Sequence, residues 1–187
     1  HLNKEIINYA RQFGEPDEVV WYERPFRKTL RQFRAGQGWN YRENNIKKYL
    51  TGYGINSHIR YIDHHHSHAA AGYYTSKFTD ATVICIDSIG EFETLTVWHG
   101  NDDTLKKKYA QRYPHSVGLW YSAMTQRIGL KPQEDEYILM GMAAYGDPDR
   151  LYQQIYKDFI APSIPLVAFN DNLHRGCMDW MPELQSE

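Results

Sequence analysis

The chain has 187 residues, enough for one domain with a buried core or for two small lobes. Its 21 basic and 23 acidic residues leave a formal net charge of -2, which excludes a global attraction to nucleic acid or to an anionic membrane. No apolar run approaches the roughly 20 residues of a membrane-spanning helix, and two cysteines are too few for a disulfide framework. We therefore expect a soluble, cytoplasmic protein.

The first third of the chain alternates between helical and extended patterns. Apolar residues at helical spacing predict helices over residues 3–13, 25–36 and 44–54. Short segments of extended type at residues 17–23 and 58–63 predict strands. This alternation favours an α/β fold.

The second predicted helix has two contrasting faces. Phe26, Leu30 and Phe33 share one apolar face. Basic residues form another face, and they are Arg24, Arg27, Lys28, Arg31 and Arg34. Such a face is more often simply solvated than bound to a phosphate or an acidic partner, and both interpretations stay open.

Four histidines stand close together in the stretch DHHHSHAAAGYY, residues 63–74, which predicts a helix that ends at Tyr74. Residues four apart lie above one another on a helix, so His64 and His68 can point their imidazoles toward one ion. Imidazole is a common ligand of zinc, iron, copper and nickel. The alternatives are a polar helix start and the remnant of a purification tag. A tag fits poorly, because Ser67 interrupts the run.

The segment ATVICIDS, residues 81–88, is nearly continuously apolar and predicts a strand buried on both faces. A tight turn at residues 88–93 follows it. The later elements are predicted as strands at residues 94–100 and 104–113 and as helices at residues 115–129 and 147–159. Ser116 is the expected N-cap of the first of these helices. The order suits a mixed sheet with flanking helices.

Asp87 stands at the carboxyl end of the apolar strand. A buried carboxylate is costly unless it is paired or bound to a cation, and the ends of strands in open α/β sheets are where ligands bind. Gly90 in the following turn permits close approach of the backbone to a phosphate or a carbonyl oxygen. The alternative is an aspartate that only caps the turn.

Three segments together resemble one known family. They are residues 63–74, ICIDSIGEFET at residues 84–94, and PHSVGLWYSAMTQRIGLKPQEDEYILMGMAAYG at residues 114–146. They look like parts of the amino-terminal, metal-binding domain of the O-carbamoyltransferases, the group that includes the nodulation protein NodU and the carbamoyltransferases of antibiotic synthesis. VVWYERP at residues 19–25 is similar to a further segment of that domain.

The resemblance implies a fold and a reaction. The fold is the actin-like ATPase superfold, with lobes of the ribonuclease-H type. The reaction starts from carbamoyl phosphate and ATP, from which a YrdC-like domain of the full-length chain makes carbamoyl adenylate. The carbamoyl group is then transferred at a metal centre to a hydroxyl of a small molecule or sugar. Neither nucleic acid nor a membrane is an expected partner.

The resemblance also assigns residues. The family's metal ligands fall on His64, His68 and Asp87, and the ion is expected to be iron, with zinc or manganese as alternatives. Ser88, Gly90 and Glu91 are expected to contact the nucleotide or the carbamoyl group. Expected substrate-site residues, for which purely structural roles stay open, are His115, Ser116, Tyr121 and Glu136. His65 and His66 are expected to begin the helix or to support the ligands.

The same resemblance divides the chain. We expect residues 1–80 to be the remainder of a first lobe and residues 81–187 to be the start of a second lobe, within an interior fragment that is inactive alone. One alternative function is a non-catalytic metal- or nucleotide-binding module of the same fold. Another is a sugar-kinase-like enzyme, which the histidine pair disfavours because phosphoryl transfer usually places magnesium on oxygen ligands.

Overall fold

A computed structural model describes residues 3–161 and 167–170. The helices are α1 (Lys4–Arg11), α2 (Pro25–Arg34), α3 (Ile46–Thr51), α4 (His64–Tyr74), α5 (Val117–Arg127), α6 (Glu136–Ala143) and α7 (Tyr152–Phe159). The strands are β1 (Glu18–Trp21), β2 (His58–Tyr61), β3 (Asp80–Gly90), β4 (Glu93–Asn101), β5 (Thr104–Arg112), β6 (Ile160–Ala161) and β7 (Ala168–Phe169).

The protein is a mixed α/β structure, as the sequence predicts. Each predicted helix and strand is present, while α6 and the two-residue strands β6 and β7 were not predicted. The polar end of the chain, for which no element was predicted, lies largely outside the described residues. Across residues 3–161 and 167–170, no helix has the length and apolar character needed to cross a membrane.

The chain divides into two compact units, His1–His68 and Ala69–Glu187, and the boundary falls inside α4. In the first unit, β1 pairs in parallel with β2, with Glu18 opposite His58 and Trp21 opposite Tyr61. Parallel strands need a crossover connection, which α2 and α3 supply. Leu50 of α3 is buried in this unit.

The apolar face of α2 is not the most buried face of this helix. Phe26 and Phe33 are 57% and 58% exposed, and both contact the ring of Trp39, at centroid distances of 6.4 and 6.0 Å. Thr29 is buried instead. Its hydroxyl donates to the Pro25 carbonyl and accepts from the side-chain amide of Asn44 at 2.8 Å, so its hydrogen bonds are satisfied. A polar residue can take a buried position when its hydrogen bonds are satisfied.

Three of the five residues of the basic face, Arg24, Arg27 and Lys28, are paired with carboxylates of the chain. Arg24 Nε and Arg27 Nη1 each lie 2.8 Å from Asp63 Oδ1. Lys28 Nζ lies 2.9 Å from Glu23 Oε2. These pairs hold α2 to the segment that leads into the histidines, although exposed ion pairs add little stability.

The second unit contains an antiparallel sheet with the strand order β3-β4-β5. Its core cluster consists of Ala69, Cys85 and Trp98, and Trp98 Nε1 donates to Thr96 Oγ1 at 2.8 Å. Burial raises the pKa of the Cys85 thiol. Ala69 is fully buried against Cys85 and Trp98, so its small side chain lets α4 pack closely on the sheet.

The prediction that β3 is buried on both faces is wrong. Cys85 faces the core, whereas Ile84 and Ile86 are 60% and 59% exposed. Successive residues of a strand point to opposite faces, and α4 covers only the face that carries Cys85. The helix α5 reaches β3 at Ser88, and the described residues leave Ile84 and Ile86 largely uncovered.

Gly100 of β4 provides a test of the packing between α4 and the sheet. A β-carbon there would lie 2.4 Å from Tyr73 Cε2, and the Tyr73 ring is fixed because its hydroxyl donates to the carbonyls of Thr79 and Asp102. Gly100→Ala is therefore expected to destabilise the protein by about 1–3 kcal/mol. The thermal unfolding midpoint of the intact protein measures the effect.

The matched control is Gly141→Ala, because a β-carbon at Gly141 in α6 meets no atom within 4 Å. This change is expected to leave the midpoint unaltered or to raise it slightly, since alanine is the better helix former. Equal midpoints for the two variants would contradict the packing of Tyr73 on Gly100.

Candidate metal centre

The first turn of α4 arranges the histidine pair. The helix begins at His64, directly after Asp63, whose carbonyl accepts from the Ser67 N–H at 3.1 Å. The Ser67 hydroxyl donates to the His64 carbonyl at 2.7 Å. With the turn fixed in this way, His64 Nε2 and His68 Nε2 lie 2.9 Å apart.

The separation of these nitrogens is compatible with two ligands of one ion. A first-row metal holds imidazole nitrogen at about 2.0–2.1 Å, so two nitrogens at right angles around it are about 2.9 Å apart. Tyr22 borders the pair, with its ring centroid 5.5 Å from that of His64. The pair therefore has the spacing, and not only the sequence pattern, of half a metal site.

Asp87 lies in a bulge near the end of β3. Pairing with β4 is regular up to Ile86 opposite Leu95, is then interrupted, and resumes at Gly90 opposite Glu93. Bulges redirect side chains and are common beside functional sites. The Ser88 N–H donates to Asp87 Oδ1 at 2.7 Å, which fixes the orientation of the carboxylate.

His64, His68 and Asp87 form a group of metal-binding type. Each offers one ligand atom, and these atoms lie within 4.8 Å of one another. Two ligand atoms on opposite sides of a first-row metal are about 4.2 Å apart, which is close to the upper limit of these separations. Two neutral nitrogens and one carboxylate oxygen suit iron, zinc or manganese and leave coordination positions for a substrate.

In the hairpin after Asp87, Glu91 is buried and has a positive φ. Glu91 is only 4% exposed and has a φ of 56°, whereas Gly90 is not among the residues with positive φ. Two-residue hairpin loops require positive φ, which here falls on the glutamate. The turn thus places its positive φ on Glu91 and not on the neighbouring Gly90.

His115 is tied into the second unit through its ring and its backbone. Its Nδ1 accepts from the Phe169 N–H at 3.2 Å, so the neutral ring carries its proton on Nε2. Its carbonyl accepts from the Thr94 hydroxyl and from Gln111 Nε2. These bonds anchor the segment that leads into α5.

The other predicted substrate-site residues lie on α5 and at the start of α6. Ser116 is the N-cap of α5, which confirms that part of its predicted role, because its hydroxyl accepts from the Leu119 N–H. Tyr121 is half-buried on α5, and its carbonyl accepts from the Thr125 hydroxyl. Glu136 begins α6, and its Oε1 accepts from the Ser122 hydroxyl and the Gln133 N–H. A contact of these residues with substrate stays a prediction.

Gly118 is not among the site residues that the sequence predicts. A β-carbon at this position in the first turn of α5 would lie 2.7 Å from both the Cα and the backbone nitrogen of Ser88. The only signal in the sequence is a glycine inside a predicted helix, where glycine is unfavourable unless close packing requires it.

Comparison with known proteins identifies one family. The sequence pattern of the family described as "Carbamoyltransferase N-terminus" matches residues 12–172. A protein of Synechocystis sp., named "Uncharacterized protein sll1178", is 34% identical over 158 residues, which cover 72% of this chain and 26% of the relative.

Two rhizobial proteins are similar as well. Nodulation protein NolO of Bradyrhizobium diazoefficiens is 32% identical over 98 residues, covering 52% of this chain and 18% of the relative. Nodulation protein NolNO of Sinorhizobium fredii is 32% identical over 104 residues, covering 54% of this chain and 15% of the relative. The chain therefore spans about a quarter or less of the length of these relatives.

Proposed function

The chain belongs to the family of carbamoyltransferase amino-terminal domains, and on that premise we propose that the intact protein is an O-carbamoyltransferase with its metal centre at His64, His68 and Asp87. The observation that carries the proposal is the mutual approach of the three ligand atoms to within 4.8 Å. The mixed α/β units are compatible with the actin-like ATPase superfold and its ribonuclease-H-type lobes, which we propose for the intact protein.

The proposed reaction has two stages. A YrdC-like domain of the same full-length protein makes carbamoyl adenylate from carbamoyl phosphate and ATP. Water releases phosphate from carbamoyl phosphate, and an oxygen of the resulting carbamate bonds to the α-phosphate of ATP as pyrophosphate leaves. The oxygen of an acceptor hydroxyl then forms a bond to the carbamoyl carbon, and the bond between that carbon and the phosphate oxygen of AMP breaks. The hydroxyl proton is released, and the products are an O-carbamate and AMP.

The residues of this chain bind and orient the reactants. The imidazole nitrogens of His64 and His68 and the carboxylate of Asp87 hold a divalent metal, with iron as the first expectation and zinc or manganese as alternatives. A bound metal of this kind supplies Lewis-acid polarisation of an oxygen and a template for the leaving group. The Ser88 N–H fixes the Asp87 carboxylate through the 2.7 Å hydrogen bond to Oδ1.

The hairpin that follows Asp87 is the proposed contact for the adenylate. Ser88, Gly90 and Glu91 would meet its phosphate or carbamoyl group, and the burial of Glu91 supports a role inside a site rather than on a surface turn. His115, Ser116, Tyr121 and Glu136 are proposed to build the neighbouring part of the substrate site. The acceptor is a small molecule or a sugar, and the reaction belongs to cytoplasmic biosynthesis without nucleic-acid or membrane partners.

The experiment uses the intact protein with carbamoyl phosphate, ATP and a panel of sugars and other alcohols. Mass spectrometry measures the O-carbamate, and nucleotide analysis separates AMP from ADP. We expect equal amounts of AMP and O-carbamate, and we expect a chelator to abolish both. Formation of ADP with a phosphorylated alcohol would support a sugar-kinase-like enzyme, and metal binding without nucleotide turnover would support a non-catalytic module; both contradict the proposal.

A further inference from the structure

The backbone around Asp87 is not held by the sheet ladder. Pairing between β3 and β4 stops at Ile86 opposite Leu95 and resumes at Gly90 opposite Glu93. Three residues, 87–89, therefore face the single residue Thr94. Backbone groups in such a bulge need other partners to keep one conformation.

The side chain of Ser116 supplies one of these partners. Its hydroxyl lies 2.7 Å from the Ser88 carbonyl and 3.3 Å from the Asp87 carbonyl, and donates its proton to this pair. The same oxygen accepts from the Leu119 N–H at 3.1 Å, and Ser116 is only 2% exposed. One buried hydroxyl thus caps α5 and ties its first turn to the bulge.

The second contact is the close approach of Gly118 to the bulge. A β-carbon at Gly118 would lie 2.7 Å from Ser88 Cα and 2.9 Å from the Asp87 carbonyl carbon. These neighbours are backbone atoms, which cannot rotate away as the end of a long side chain could. Any residue other than glycine must move α5 away from the bulge or move Asp87.

The start of α5 is itself anchored to the strand opposite the bulge. Thr94, which faces the bulge, is fully buried, and its hydroxyl donates to the carbonyl of His115, the residue before Ser116. Gln111 Nε2 of β5 donates to the same carbonyl at 3.0 Å. Two strands therefore hold the start of α5 against the segment that carries Asp87.

We propose that Ser116 and Gly118 are positioning residues that set the place of the Asp87 carboxylate in the metal centre. This inference rests on the proposed function, because it takes Asp87 as a metal ligand. It gives the first turn of α5 a role in metal affinity without requiring any contact between Ser116 or Gly118 and the ion. Groups that orient metal ligands typically change affinity by about 10- to 100-fold when they are lost.

The test measures metal affinity rather than turnover. The intact protein and its Gly118→Ala and Ser116→Ala variants are titrated with Co²⁺, whose visible absorption reports both affinity and coordination. Each variant is expected to bind Co²⁺ about 10- to 100-fold more weakly than the wild type, with an altered absorption spectrum. Loss of fold stability alone would lower the unfolding midpoint without changing the spectrum of the bound ion.

Matched controls separate positioning from general packing and capping. Gly141→Ala adds a methyl group to a helix where no atom lies within 4 Å, and Asn45→Ala removes the N-cap of α3, whose side chain accepts from the Lys48 N–H. Both are expected to keep the affinity and the spectrum of the wild type. If Ser116→Ala and Gly118→Ala also keep both, the positioning role is refuted while the metal site stands. If the wild type binds no Co²⁺, the proposed function fails as well.

Discussion

Replacement of Asp87 by asparagine in the intact protein is expected to lower the rate of O-carbamate formation by about 1,000-fold. Metal ions commonly contribute several kcal/mol to stabilising developing charge, and about 1.4 kcal/mol corresponds to tenfold in rate. Asparagine keeps the size of the side chain and an oxygen that accepts from the Ser88 N–H, so the bulge should remain. Metal affinity should fall with the rate, by more than about 100-fold, since loss of even an orienting group costs about 10- to 100-fold.

Asp80→Asn is the control for this variant, because it removes a carboxylate from the same strand. The Asp80 side chain is 66% exposed and accepts from Asn101 Nδ2 at 2.9 Å, and this hydrogen bond lowers the pKa of Asp80. Surface substitutions of this type change free energies by less than about 0.5 kcal/mol, so rate and affinity should stay within about twofold. Equal rates for the Asp87 and Asp80 variants would exclude Asp87 as a ligand.

The second large effect is expected for the double variant His64→Ala, His68→Ala. It removes two of the three proposed ligands, and we expect no bound divalent metal above background when the purified intact protein is analysed by mass spectrometry. Each single variant should retain weak binding, because one imidazole and the Asp87 carboxylate remain.

His66→Ala is the control for the histidine variants, since His66 lies in the same turn of α4 and is exposed. Its metal content is expected to match that of the wild type. If the double variant contains as much metal as His66→Ala, the ion is bound at other residues and the proposed ligands are wrong.

The helix with the histidine pair was predictable because it depends on local rules. The 3.6-residue period brings residues four apart together, and the observed 2.9 Å between the two Nε2 atoms follows from a regular helix that begins at His64. The N-cap at Ser116 was predictable for the same reason, since a serine before an apolar helical segment can bond the N–H groups of the first turn.

Features that depend on long-range packing were not predictable from the pattern. The apolar residues of β3 indicated a strand with two buried faces, yet Ile84 and Ile86 remain exposed because the described helices cover one face only. Phe26 and Phe33 of α2 likewise pack on Trp39 instead of entering the core. Periodicity identifies which residues share a face but not which element covers that face.

The bulge at Asp87 and the approach of Gly118 are also invisible in the sequence. A bulge depends on the register between two strands, which the residues of β3 alone do not fix. Gly118 follows Asp87 by 31 positions, and its close packing on the bulge becomes evident only from the structure, where a β-carbon at Gly118 would lie 2.7 Å from the Ser88 backbone. The sequence therefore predicts the ligand types, whereas only the structure shows which contacts hold the backbone at Asp87.

Anomalous diffraction tests the proposed metal centre most directly. Crystals of the intact protein are grown with ferrous iron and measured on both sides of the iron absorption edge. We predict one anomalous peak about 2.0–2.2 Å from His64 Nε2, His68 Nε2 and a carboxylate oxygen of Asp87. A crystal without a peak at these three side chains, or with its strongest peak on other residues, would contradict the proposed metal centre.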